Sequence, residues 1–356
     1  MVDVKILIAA HKPFKVPEGK YFVPIHVGRK IATSLSKDGK INETDYQWLL
    51  ENAIGDETGD NISDKNRFYS ECTALYWAWK NYEKLGNPEY IGLMHYRRHF
   101  IFNDEYFVSK PKNKWEKALS FINEDFMDED YIKNIGLNDE NIEQVCKNYD
   151  FLVVKDTKID LIDGRNLRED YANTIPGVKV KDFDLMVDIV KSDYPEYTQV
   201  IDEKLDGYAK NPYQMFIMKK ELFFEYCEFL FDVLFKIEKK INFDEYSVNG
   251  KRTLGYLAED LFTFFVWKKE TERFNILKLG VTQVTFPCDD EDLENLYKKG
   301  CPSYIKYLIL KFRSLFLKGQ AKQNNKECYQ LLRQQRKLYK KLKTTLKVGK
   351  MEHGVW

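Results

Sequence analysis

Lys5-Ile6-Leu7-Ile8-Ala9-Ala10, ended by His11-Lys12-Pro13, is the stretch that decides the fold. A continuous apolar run of this length, cut off by a polar turn, is the pattern of a strand buried on both faces of a sheet. Tyr90-Ile91-Gly92-Leu93-Met94 repeats the pattern and runs into His95-Tyr96-Arg97-Arg98-His99-Phe100. Phe151-Leu152-Val153-Val154 and Met215-Phe216-Ile217-Met218 read as two further short strands. Helical patterns cover 69–85 (stopped by Gly86-Asn87-Pro88), 138–148, 182–190, 195–205, 219–240 and 253–268. Polar, glycine-containing sequence from Lys37 to Lys65 reads as loop. Strands alternating with helices predict an α/β fold with a mainly parallel central sheet.

The 356 residues carry 56 basic and 56 acidic side chains, but the neutrality is a cancellation. From Lys306 to the end there are 14 Lys/Arg and only Glu327 and Glu352, leaving the body acidic by the same margin of twelve. This predicts a body over 1–300 and a basic helical tail over 301–356. In Tyr304–Leu317, Ile305, Leu308, Ile309, Phe312, Leu315 and Phe316 share one side at helical spacing, with Lys306, Lys311, Arg313 and Lys318 mostly opposite. Residues 304–350 thus suit an anionic membrane interface; a helix packed on the body is the alternative. No nucleic-acid module accompanies the tail, so no nucleic-acid partner is expected.

Six scattered cysteines with no C-x-x-C pair argue against structural zinc and for reduced thiols. The start of the chain is too brief for a signal peptide, and no run is long enough to span a bilayer. The expected location is cytoplasmic, peripheral at the inner face of the membrane.

Ligands of open α/β sheets bind beyond the carboxyl ends of the strands. His11-Lys12-Pro13 and His95-Tyr96-Arg97-Arg98 leave such ends, and the second is a concentrated basic block suited to an anion such as a diphosphate. Two adjacent arginines on an extended chain point oppositely, so one of them has a structural alternative. The loop at Asp60-Asn61-Ile62-Ser63 leads to a helix containing Thr73; it offers amides to an anion or simply caps a turn. Glu259-Asp260 sits in an apolar helix, where charge needs a partner or a cleft. There is no P-loop, G-x-G-x-x-G, H-E-x-x-H or G-x-S-x-G. Asp289-Asp290-Glu291-Asp292 reads as a solvated loop.

Taken together, Ile6–Pro13, Asp60–Ser63, Glu71-Cys72-Thr73-Ala74-Leu75-Tyr76-Trp77-Ala78-Trp79-Lys80, Tyr90–Arg98, Met215–Phe223 and Gly255-Tyr256-Leu257-Ala258-Glu259 resemble the domain-of-unknown-function family of bacterial capsule and exopolysaccharide clusters. The resemblance spans residues 4 to about 285. It implies a glycosyltransferase with a GT-A-like nucleotide-binding domain. The reaction implied is transfer of a hexose, galactose or galactofuranose favoured, from a nucleotide-sugar donor to a lipid-linked glycan acceptor. It places Ala10, His11, Lys12, Asp60, Asn61, Ile62, Ser63 and Thr73 along the donor nucleotide, and His95, Tyr96, Arg97 and Arg98 at its diphosphate. Glu259 and Asp260 become the candidate catalytic carboxylates. The Asp-x-Asp metal motif of GT-A enzymes is replaced by His95-Tyr96-Arg97-Arg98. Guanidinium charge then substitutes for a metal, or a divalent Mn or Mg ion is retained with His95 as a ligand. The chain departs from the family pattern at Gln214, Asp260 and Tyr171–Gly177, so sugar and acceptor are not inherited with it. A non-catalytic nucleotide-sugar or glycan-binding scaffold of a polysaccharide synthesis complex is the alternative reading.

Overall fold

The apolar run does form a central strand, β1 (Val4–Ala10), and its side chains alternate between two cores. Leu7 and Ala9 enter one; Val4, Ile6, Ile8 and Ala10 enter the other. That two-sided burial is why the run lacks visible polar alternation. In this computed structural model residues 2–286 are described, apart from 36–39, 111–115, 117–119, 128, 159–165 and 208. The acidic run at 289–292 and the basic tail, and with them the expectations placed on both, lie outside the described residues.

β1 pairs in parallel with β2 (Phe22–His26) on one side and β4 (Tyr90–His95) on the other, and β2 pairs in parallel with β3 (Ile54–Gly55). Beyond β4 the parallel expectation gives way to a mixed sheet. β5 (Arg98–Ile101) turns back against β4 through the His95–Arg98 pair. A two-residue turn allows only an antiparallel partner, because a parallel one needs a long crossover. β6 (Phe121–Phe126), β7 (Phe151–Val154), the small ribbon of β8 (Thr157–Lys158) with β9 (Ala209–Lys210), and β10 (Phe216–Lys219) follow. β10 lies antiparallel between β4 and β7, and β11 (Ile276–Phe286) pairs with β7 and β6 in parallel and with β5 in antiparallel fashion.

Among the elements that escaped the sequence reading, which include β6 and the long β11, two did so for plain local reasons. β2 contains Pro24, which argues against a strand; yet β3 reaches only Ile25 and His26, so β2 is an edge at Pro24, where a missing N–H is tolerated. The supposed loop at 37–65 contains a helix, Glu43–Asn52, nucleated by the Asn42 side chain accepting from the Asp45 amide. Leu49 is its sole buried residue, so the helical period leaves little trace in sequence.

Two long helices, Lys220–Glu238 and Thr253–Thr271, cover one face. Phe262 sits at their centre with ring centroids 5.3 Å from Tyr226, 5.7 Å from Phe216 and 6.0 Å from Phe151. On the other face His99 is wholly buried: its Nδ1 lies 2.7 Å from the Tyr131 hydroxyl, and its Nε2 has no hydrogen-bond partner among the described residues. Among the described residues no helix is long and apolar enough to cross a membrane.

Burial lowers the His99 pKa to about 3, whereas an unfolded histidine takes a proton near pH 6.5. Its contribution to stability is therefore complete above about pH 6.5 and drains away as the pH falls toward 3. Compared with His99→Gln, the wild type is expected to lose about 1 kcal/mol of stability per pH unit below pH 6. Urea midpoints of both proteins at pH 7 and pH 5 measure this, and a constant difference between them would contradict it.

Candidate functional site

The carboxyl ends of β1 and β4 are neighbours, and β4 carries its strongest polar residues into the hairpin that leads to β5. The Tyr96 amide donates to Ala9 O at 3.1 Å, and the Val284 amide donates to Arg97 O at 2.8 Å, so the hairpin is fastened on both sides. Tyr96 is buried as the hub of a ring cluster, 4.4 Å from His95, 5.3 Å from His11 and 6.1 Å from Phe14. Arg97 and Arg98 are both half-buried. The Arg97 guanidinium lies 5.3 Å from the Tyr96 ring centre, and its Nε is buried without a hydrogen bond to any described residue. Arg98 donates from Nε to Gln283 Oε1 at 2.7 Å and lies 4.5 Å from the Tyr213 ring centre.

Facing the hairpin is the start of the Thr253–Thr271 helix. Arg252 Nε donates to the Ser70 hydroxyl at 3.0 Å, and its guanidinium lies 5.3 Å from the Tyr256 ring centre. Ser70 has a φ of 52°, unusual for a residue with a side chain. Gly255 makes room for it: a Cβ there would stand 2.7 Å from the Ser70 oxygen. One turn along, Glu259 accepts from the Tyr213 amide at 3.2 Å. Burial raises the Glu71 pKa, Arg252 and Arg98 oppose the rise, and Glu259 adds to it. Glu71, Glu259, Arg98 and Arg252 thus share one electrostatic neighbourhood.

The imidazoles do not add charge to this site. His11 has an exposed surface and packs edge-on against Tyr96. Desolvation, then Lys12, Arg97, Arg252 and His26, push its pKa down to about 3. His95 is driven well below the usual value by desolvation, then by Arg98 and Arg97. Both are neutral at physiological pH and serve as hydrogen-bonding groups. His99 lies in the core and takes no part. The positive charge comes from Lys12, Arg97, Arg98 and Arg252, set against Glu71 and Glu259.

The other sequence candidates divide. Ser63 and Thr73 are buried beside Asp56, whose carboxylate accepts from the Ser63 hydroxyl at 2.5 Å and from the Gly28 and Arg29 amides at 2.7 and 3.1 Å. Burial raises the Asp56 pKa and these bonds oppose the rise. Asp60 belongs elsewhere. It accepts from the Tyr76 hydroxyl, and its carbonyl accepts from Asn81, at the C-terminal end of the Cys72–Lys80 helix. Asn61 donates to the carbonyls of Glu57 and Gly59, and Ile62 is in the core. The structure therefore does not bring Asp60, Asn61 or Ile62 to the arginine cleft, which opens at the helix's other end. Asp260 is also set apart from Glu259, because successive helix residues face different directions. It is buried, and desolvation lifts its pKa to about 8, with Lys210 opposing and Asp170 and Glu259 assisting.

Glu71, Arg252, Tyr213 and Asp56 were not singled out from sequence. Glu71 heads a recognisable block, and Arg252 directly precedes a helix, so both left a signal. The backbone turn that aims Tyr213 left none. A divalent ion does not fit at the hairpin, where its one candidate ligand, His95, is flanked by Arg97 and Arg98. Among the described residues no group of three or more His, Cys, Asp or Glu is arranged to hold a metal.

This arrangement defines an α/β protein with a basic cluster at the carboxyl ends of adjacent central strands. Residues 5–270 match the model of the domain-of-unknown-function family DUF4422, and the chain belongs to that family. Among solved structures it is similar to the apo structure of the bifunctional glycosyltransferase WbbM, with 32% identity, a TM-score of 0.67 and coverage of 79% of this chain. The match takes in 45% of the WbbM chain, so this protein corresponds to less than half of it. No match is found among curated proteins.

Asp56→Ala leaves two amides and a hydroxyl without their acceptor in the interior. It is expected to cost about 3 kcal/mol, at roughly 1–3 kcal/mol per unsatisfied group with partial relaxation. Denaturant titration measures this, and a loss below about 1 kcal/mol would show that the hub is dispensable.

Proposed function

We propose that this protein is a GT-A-type glycosyltransferase. In this reading it moves a hexose, galactose or galactofuranose favoured, from its uridine diphosphate to a lipid-linked intermediate of a cell-surface polysaccharide. The observation that carries the reading is the set of Lys12, Arg97, Arg98 and Arg252 around one cleft, in a chain similar to a known glycosyltransferase. The cleft opens between β1 and β4, where connections leave β1 toward β2 on one side and β4 lies on the other; ligands of open sheets favour such a switch point.

The chemistry follows from charge. Cleaving the sugar–phosphate bond builds negative charge on the leaving diphosphate, and fixed cations in a partly desolvated cleft stabilise it without reorganising. Arg97, with an unused buried Nε, and Arg98, braced by Gln283, supply forked donors for phosphate oxygens. Neutral His11 and His95 contribute hydrogen bonds without further charge. Glu259, fixed by the Tyr213 amide, is placed to take the proton of an acceptor hydroxyl, with Glu71 nearby. Asp260 is less suited to that step because it is buried away from an incoming acceptor. It supports the helix through its attraction to Lys210.

Arg97→Ala combined with Arg98→Ala is expected to lower donor turnover at least 100-fold, in line with ~3 kcal/mol or more of lost charge stabilisation. Incubation with a panel of nucleotide sugars, read as donor hydrolysis or transfer, measures it. Turnover near the wild-type rate would sink the diphosphate assignment, and wild-type binding without turnover would favour a scaffold.

The basic tail completes the proposal by holding the body at an anionic membrane that carries the acceptor. A chain ended at Gly300 is expected to stop sedimenting with phosphatidylglycerol vesicles while still binding donor. Undiminished sedimentation of the shortened protein would contradict the tail's role.

A further inference from the structure

Between the arginines and Glu259, Lys210–Gln214 is held far more tightly than a connecting segment needs. Lys210 is ion-paired with Asp170. Asn211 is fully buried and donates from Nδ2 to Val154 O at 3.2 Å and to Asp156 Oδ1 at 2.9 Å, while its amide donates to the Thr263 hydroxyl at 3.2 Å. Pro212 is buried and stiff. Tyr213 and Gln214 then take φ values of 71° and 50°, two successive left-handed residues of which neither is glycine. Gln214 is pinned in the core, donating to the Tyr226 hydroxyl at 2.5 Å and accepting from Cys72 Sγ at 3.4 Å.

Backbone strain of this kind persists only where the surroundings over-determine it, and it concentrates at ligand sites. What it achieves here is the placement of one ring. Tyr213 is half-buried, its amide engages Glu259, and one ring face is covered by Arg98. Its hydroxyl makes no hydrogen bond to any described residue. The buried face and amide are spent on the protein, whereas the phenol is left to the cleft. An aromatic ring with a polar tip suits a sugar, which offers apolar C–H patches edged by hydroxyls.

We propose that Tyr213 binds the sugar ring of the donor, between the diphosphate held by Arg98 and the acceptor hydroxyl facing Glu259. The proposal rests on the glycosyltransferase reading above and adds a sugar subsite to it. Its consequence is that Tyr213 governs which hexose is turned over, whereas the nucleotide diphosphate is held by other residues.

The test compares wild type with Tyr213→Phe and Tyr213→Asn, the latter chosen because asparagine accepts a left-handed backbone. Each is assayed for kcat and KM with UDP-galactofuranose, UDP-galactose and UDP-glucose, and for inhibition by UDP. The proposal expects kcat with the preferred donor to fall at least tenfold in Tyr213→Asn and less in Tyr213→Phe. The preference among the three donors should compress, and the UDP inhibition constant should stay within about twofold. An unchanged donor preference in both variants overturns the sugar assignment while leaving the glycosyltransferase reading intact. Loss of UDP inhibition in Tyr213→Phe overturns it too, because the ring would then serve the nucleotide site. A wild type that turns over none of the three donors brings down the underlying reading and this inference with it.

Discussion

β4 joins the parallel β1–β3 side of the sheet to its mixed remainder. On one side it is paired along its length with β1; on the other it meets β10 over Tyr90–Leu93 and β5 at His95. At Gly92 the strands pack closely: a Cβ would come within 2.9 Å of Phe216 O and the Ile217 side chain. That constraint fixes where β4 ends, and so where its two arginines emerge beside His11 and Lys12. The same strand placement anchors Gln214 in the core and sets Tyr213, just before β10, beside Arg98. Fold and site are therefore one problem here, because the strand that organises the sheet also delivers the charge.

The central strands were legible in sequence because burial on both faces makes them plainly apolar, and the Arg97–Arg98 block stood out against them. Less visible were elements whose stability is supplied by neighbours. β2 was hidden by Pro24, and the Glu43–Asn52 helix by its single buried residue. The mixed character of the sheet was hidden because hydropathy does not record strand direction, and only the two-residue hairpin at Tyr96-Arg97 implies it. Within the site, the loop at Asp60 was misleading: it has the polarity of a ligand loop but spends its polar groups on the Cys72–Lys80 helix. Conversely, Arg252 and Glu71 enter the cleft through Ser70 and Gly255, a contact between segments more than 180 residues apart. No local pattern encodes it.

Counting histidines as charges would also have misjudged the cleft. Desolvation and neighbouring guanidiniums keep His11 and His95 neutral, so the site's positive charge rests on its lysine and arginine side chains. Two carboxylates stand among them, and in the proposed reaction that mixture supplies cations for a leaving diphosphate and an anchored carboxylate for a proton. The body's acidic balance and the tail's basic one remain separate matters, and the cluster of Lys12, Arg97, Arg98 and Arg252 stands against the body's overall charge.

The central claim is that the arginine hairpin is a diphosphate site, and the affinity difference between UDP and uridine tests it most directly. With two charge-assisted phosphate contacts at about 1.5 kcal/mol each, calorimetric titration of the intact protein should show UDP binding roughly 100-fold more tightly than uridine. Equal affinities for the two would mean that the guanidiniums do not hold the diphosphate, and would contradict the account.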